Sequence, residues 1–179
     1  MKQRLRRALR MQPEWSFGFM AMDFLFRRIL RQNAGVPFPV HHTSTIRTPD
    51  QLRVGQGTFP GDSPGVYINA DNGIEIGDFT NLGPNVGLIS ANHDSIDNTV
   101  RVSAESIRIG KFCWLGMGAI VLPEVQLGDF TIVGAGSVVT KSFPEGYCVI
   151  AGNPARVLRL LNRDDCDKQA TARYRTNPR

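Results

Sequence analysis

Residues 109–159 read IGKFCWLGMGAIVLPEVQLGDFTIVGAGSVVTKSFPEGYCVIAGNPARVLR, and their spacing decides the fold. Aliphatic side chains recur at Ile109, Leu115, Val121, Leu127, Val133 and Val139, every sixth position. The same rhythm runs upstream through Ile76, Leu82 and Leu88, and glycine follows six of these nine residues. A second register of small or branched residues lies four positions later, at Thr80, Val86, Cys113, Ala119, Val125, Thr131 and Ser137, and Ile68 and Ile74 carry it backwards. A period of six is neither the 3.6 of a helix nor the wider spacing of hairpin sandwiches, and it is the repeat of a parallel β-helix. Each six supplies a short strand and a turn. Three strands complete a triangular coil of 18 residues, and successive coils stack at about 4.8 Å. The aliphatic positions are predicted to point inward, and the glycines to mark turns that leave no room for a side chain.

The rhythm breaks once. From Leu88 to Ile109 is 21 residues, so a segment at 94–108 (DSIDNTVRVSAESIR) is predicted to leave the coil as a loop, with His93 at its entrance. His93 is the fifth residue after Leu88, a position expected to point outward. Counting one 18-residue coil back from His93 reaches Glu75, which is expected on the same face as the group that orients the imidazole; Asp94 and Asp97 are alternatives. Trp114, Ile120, Ile132 and Val138 take the equivalent outward slot, and large apolar residues there require a covering partner. Cys113 is placed inward, as core.

On these residues the chain resembles the hexapeptide-repeat acyltransferases, whose left-handed β-helix is an exception to the right-handed crossover rule. The sequence NHDSID at 92–97 resembles the catalytic histidine loop of the galactoside and maltose acetyltransferases within that family. The resemblance implies a homotrimer with each active site in the cleft between two subunits and acetyl-CoA as the acyl donor. It implies His93 as general base for direct attack of an acceptor hydroxyl or amine on the thioester, without an acyl-enzyme. Carried over by position, Trp114, Met117 and Ala135 would line the pantetheine groove. Thr140 and Lys141 would lie near the pantetheine and nucleotide end, and Arg156 and Arg159 would meet phosphates. Asp71 matches an acceptor-binding aspartate, and Asp94 is placed with it on the acceptor side. Ser63 stands where an asparagine is expected upstream of Asp71. The implied activity is O-acetylation of a sugar or polysaccharide precursor. A small xenobiotic or amino-sugar acceptor is the alternative, and a non-catalytic β-helix scaffold is a third.

The remaining sequence sets the organisation. The 179 residues carry a net charge of +5, but residues 1–31 hold eight basic residues against Glu14 and Asp23, which leaves the other 148 at −1. Basicity confined to one end argues against a nucleic-acid partner. Residues 1–32 read as helical, with Arg-rich turns at 4–10 and an apolar stretch from Trp15 to Phe26 too short to span a bilayer. That stretch either packs its aromatic face on the body or makes peripheral contact with an acidic membrane. Residues 33–65, rich in proline, read as an irregular connection with room for an opening coil. The β-helix is assigned to 66–152, and 153–179 to a short C-terminal helix ending in a polar tail, TARYRTNPR, expected to fray. Three cysteines without CxxC spacing indicate a reducing, cytoplasmic setting. His41-His42 lacks the spacing of a three-histidine zinc site, and no catalytic metal is expected.

Overall fold

The computed structural model describes residues 11–12 and 15–177. The protein is mainly β, a left-handed parallel β-helix whose three faces are formed by strands taken in rotation. The first face joins β1 (Thr45–Arg47), β3 (Tyr67–Asn69), β6 (Gly87–Ile89), β11 (Ile120–Val121) and β14 (Val138–Val139). The second joins β2 (Leu52–Val54), β4 (Ile74–Ile76), β9 (Ile107–Ile109) and β12 (Gln126–Leu127). The third joins β5 (Asn81–Leu82), β10 (Trp114–Leu115), β13 (Thr131–Val133), β15 (Cys148–Gly152) and β16 (Ala155–Leu160). A separate hairpin, β7 (Asn92–His93) and β8 (Arg101–Val102), leaves the edge between the first and second faces.

The inward registers hold throughout. All nine sixfold aliphatic positions are buried, as are the seven small or branched ones, together with Ile68 and Ile74. Eighteen-residue coils are found where the sequence is most regular, with Trp114 beside Ile132 and Ile120 beside Val138. Earlier coils are longer: Thr45 pairs with Tyr67, and Tyr67 with Gly87. Parallel pairing thus begins at Thr45, upstream of the point where the sixfold rhythm becomes legible. After the hairpin the coil resumes at Ile107, which is buried, so Ile107 and Arg108 belong to β9.

Each edge of the prism turns through a column of left-handed residues. Between the first and second faces these include Thr48, Gly73 and Glu124; between the third and first, Asn85, Gly118 and Gly136. Between the second and third faces they are Phe79, Phe112, Phe130 and Tyr147, with φ of 54°, 55°, 56° and 48°. Such backbone costs a side-chain-bearing residue about 1–2 kcal/mol. Here the rings recover it by stacking on one another, with centroids 5.3, 4.9 and 5.3 Å apart. The glycine that opens each of these turns is required by close approach: a Cβ on Gly77 would lie 2.7 Å from the Gly110 carbonyl carbon.

The C-terminal helix α2 (Arg163–Thr176) clasps this aromatic ladder. Tyr174 meets Phe79 and Phe112 edge-on, and its hydroxyl donates to Asp78 Oδ2 at 2.7 Å. Arg163 lies over the Tyr147 ring, and Arg173 over Phe79. The sequence reading differs here in two ways. Residues 155–160 form a strand antiparallel to β15, and Thr171–Thr176, expected to fray, stay helical because Tyr174 anchors their turn.

At the other end, α1 (Phe17–Asp23) continues into a π-helical turn, Phe24–Ile29. Its inner side is fixed by a buried ion pair, in which Arg27 donates to both Asp23 oxygens at 2.8 and 2.7 Å and to the Val36 carbonyl at 2.9 Å. Asp23 Oδ1 also accepts from the Val40 amide at 2.9 Å. Trp15 packs on Phe59 and donates to Asp62. Val36, Phe38 and Val40 complete the hydrophobic core beside Ile46. Asn33 donates to the Ser44 carbonyl and accepts from the Ile46 amide, across β1 from β3. His41 and His42 stack at 4.4 Å between Phe19 and Phe26, and burial followed by the His42 charge pulls the His41 imidazole below its ordinary value.

Candidate functional site

The edge between the first and second faces is where the chain departs from its repeat. His93 lies exposed on β7, opposite Arg101 in the hairpin. The excursion is sewn to the coil by two neighbouring side chains. Arg101 Nη1 pairs with Asp71 Oδ2 at 2.8 Å, and Asn72 Nδ2 donates to the Val102 and Ser90 carbonyls at 3.1 and 3.0 Å. Within the loop, Asp94 Oδ1 accepts from the amides of Ile96 and Asp97, which fixes the turn and holds the Asp94 carboxyl below the usual range.

Asp71 sits at the centre of this arrangement. Thr48 donates its hydroxyl to Asp71 Oδ1, and the Asp71 amide donates to Asn69 Oδ1 at 3.0 Å. The Thr48 hydroxyl is the main cause that holds the Asp71 carboxyl below its ordinary value, and the Arg101 and Arg47 charges act in the same direction. The Asp71 side chain is 12% exposed and that of Arg101 57%, so the guanidinium keeps donors facing solvent beside His93. A carboxyl depressed by folding stabilises the fold above its unfolded pKa, and that contribution is lost as pH falls through the folded value. Thr48→Val should therefore move the Asp71 midpoint up, and the tether should release at a higher pH. A carboxyl-resolved NMR titration checks this, and an unchanged midpoint would remove Thr48 as the cause.

Glu75 does not join His93. It lies on the second face, in register with Arg53 and Arg108, where its only ion pair among the described residues is a 3.9 Å contact with exposed Arg53. The count of 18 fails because the coil that separates them is longer, with Ile89 beside Asn69, and because His93 has already left the coil for the hairpin. The residues that fasten the histidine segment are Asp71, Asn72 and Arg101. Periodicity could not find Arg101, since no repeat governs a hairpin.

Of the seven residues matched to coenzyme A, five lie away from the edge that carries His93. Trp114 stands in one outward row of the third face with Ile132, Val149 and Arg159. Met117 and Ala135 are exposed at the turns that follow, between the third and first faces, and the Met117 carbonyl accepts from Gly136 at 2.8 Å. Arg156, on β16, lies opposite Ala151. Thr140 and Lys141 instead follow β14, on the same edge of the prism as the His93 hairpin, with Lys141 over the Phe143 ring. The four outward apolar residues thus split into two rows, Trp114–Ile132 on the third face and Ile120–Val138 on the first.

Two further side chains are accounted for by the fold. Burial pushes the Cys113 thiol up to about 12, so it is no nucleophile near neutrality. Ser63 donates to the Leu82 carbonyl at 2.7 Å, which directs it at the coil.

Comparison with known proteins agrees with the fold. The model for bacterial transferase hexapeptide (six repeats) matches residues 106–141. The Escherichia coli K12 protein WcaF, designated a colanic acid biosynthesis acetyltransferase, is 33% identical over 132 residues, 74% of this chain and 71% of its own length. Among solved structures, a maltose O-acetyltransferase from Clostridium difficile 630 superposes with a TM-score of 0.60 at 31% identity, covering 66% of this chain and 64% of that one. A hexapeptide-repeat acetyltransferase of Vibrio cholerae O1 biovar eltor, complexed with acetyl coenzyme A, gives 0.57 at 25% identity, covering 66% and 68%.

Proposed function

This chain belongs to the hexapeptide-repeat acetyltransferases, and we propose that it acts as a homotrimer that moves the acetyl group of acetyl-CoA to a hydroxyl of a sugar or polysaccharide precursor. One observation carries the reading. The His93 hairpin stands on one edge of the prism, and Trp114, Met117 and Ala135 stand on another edge and its adjoining face, so a single chain does not assemble a base and a donor groove.

A second copy supplies what is missing. The first face carries Tyr67, Ile120 and Val138 outward and the third carries Trp114, Ile132 and Val149, whereas the second presents Arg53, Glu75, Arg108 and Gln126. Two different apolar faces on one prism suit a head-to-tail contact, which closes into a ring of three. The charged face is left to water. Each ring contact would bring the histidine edge of one chain to the Trp114 groove of its neighbour.

In that cleft His93 takes the proton of the acceptor hydroxyl as its oxygen attacks the thioester carbonyl. The C–S bond breaks, and coenzyme A leaves as thiolate, which the protonated imidazole can neutralise. Arg156 and Arg159 are suited to the donor's phosphates. Asp71, with Arg101 beside it, faces the acceptor side. The sugar class is supported by the maltose acetyltransferase likeness, and the donor by the acetyl-CoA complex of the Vibrio relative. We place the reaction in the cytoplasm, where this donor is made.

Intersubunit complementation tests the split site. His93→Ala removes the base, and Ala135→Trp fills the groove at an exposed position. Each alone should be inactive with acetyl-CoA and a sugar panel, whereas trimers from coexpressed chains should regain about one quarter of the sites. Mixed trimers no better than either parent would place the whole site in one chain.

A further inference from the structure

Residues 17–30 keep one side for the body and leave the other without a partner among the described residues. Trp15, Asp23 and Arg27 are buried beneath the segment, with Phe19 and Phe26 half-buried beside them. The opposite side carries Phe17, Met22, Phe24, Leu25, Ile29 and Leu30, of which Phe24, Ile29 and Leu30 remain 60%, 58% and 59% exposed. Single apolar residues on a surface need no explanation, but a run of six along one helical segment does.

Charge says what covers it. Arg27 is spent on the Asp23 ion pair, while Arg28, within the segment, and Arg31, just after it, are exposed. The adjoining sequence adds Lys2, Arg4, Arg6, Arg7 and Arg10. A second copy of this end would bring the same excess of positive charge, and the body, which nets only −1 over residues 32–179, does little to offset it. Apolar side chains framed by arginines fit a layer that is negative at its surface and hydrocarbon beneath. No helix among the described residues is long and apolar enough to cross a bilayer, so the contact is one that lies on the surface.

Position makes the strip effective. The segment sits on the β1 end of the coil stack, where Val36, Phe38 and Val40 close the core. We propose that this end is a docking surface for an anionic lipid bilayer. The inference rests on the trimeric reading above in one respect: three parallel prisms around a common axis turn all three strips toward the same plane, so three weak contacts act together. The acceptor class this favours is a sugar presented at a membrane.

The test is sedimentation of the full-length protein with vesicles of phosphatidylglycerol and phosphatidylcholine, against vesicles of phosphatidylcholine alone. We expect at least about tenfold stronger partitioning onto the anionic vesicles, weakened by salt. It should fall about tenfold or more in Phe24→Ser/Ile29→Ser and in Arg28→Glu, with circular dichroism and soluble-acceptor activity retained. Equal partitioning onto both vesicles, or no loss in the variants, overturns the proposal. A fall in particle mass by light scattering for Phe24→Ser/Ile29→Ser also overturns it, since the strip would then be a contact between copies. Loss of vesicle binding with activity intact leaves the acetyltransferase reading standing. Vesicle binding by a protein that transfers no acetyl group would sink that reading alone.

Discussion

Replacement of His93 by alanine should lower kcat/KM for acetyl transfer by about 10²- to 10⁴-fold, while binding of coenzyme A, measured by calorimetry, stays as in the wild type. The expectation follows from where the side chain sits. The imidazole is exposed at the first turn of an excursion that the β-helix does not need for its own packing, since the coil closes again at Ile107 without it. Its removal therefore leaves no cavity and no orphaned core group. Trp114, Met117 and Ala135, which we propose for the donor groove, lie elsewhere on the chain and are untouched by the change. A variant that keeps transfer within about threefold would free His93 of the role of base.

The second large effect concerns stability. Asp23→Ala should destabilise the protein by about 3–5 kcal/mol, read from urea unfolding, because it strands a buried guanidinium and the Val40 amide together. Among the described residues, Arg27 then keeps only the Val36 carbonyl as a partner. The control is the double replacement Asp23→Leu/Arg27→Met, which removes both charges and should cost far less than Asp23→Ala alone. Similar losses in the two proteins would show that volume, and not the unpaired charge, sets the cost.

Most of the coil was readable from the sequence because its rule is local: a residue's place in a six decides whether it faces the core. Every aliphatic and small position in the two registers is buried accordingly. Glycine follows Ile76, Leu82, Ile109, Leu115, Leu127 and Val133 but not Leu88, Val121 or Val139, and these three exceptions all lie in strands of the first face. The edge that carries the histidine hairpin was thus marked by the absence of a residue. The aromatic ladder was also written in the chain, as Gly77-Asp78-Phe79, Gly110-Lys111-Phe112, Gly128-Asp129-Phe130 and Gly146-Tyr147. It passes unnoticed when attention rests on the aliphatic repeat.

What the period could not supply is anything set by coil length or by contact across the fold. Glu75 was placed by assuming 18 residues where the chain uses more. The Arg101–Asp71 pair joins residues 30 apart through a hairpin whose course no repeat dictates. Residues 155–160 form a strand because β15 offers an open edge, a fact about position and not composition. The Arg-rich turns expected at 4–10 lie outside the described residues.

The hydrogen bonds of Asn33 to Ser44 and Ile46 bear on how the protein stays unpolymerised. A stack of parallel strands has the repeat of a cross-β fibril, and its first strand is a template on which another chain could extend the stack without limit. One side-chain amide occupies the Ile46 amide of that strand and the Ser44 carbonyl just before it, and the segment that carries it covers the end of the core. Asn33 is thus a stop signal for growth, and its loss would be felt as aggregation during expression well before it was felt in catalysis.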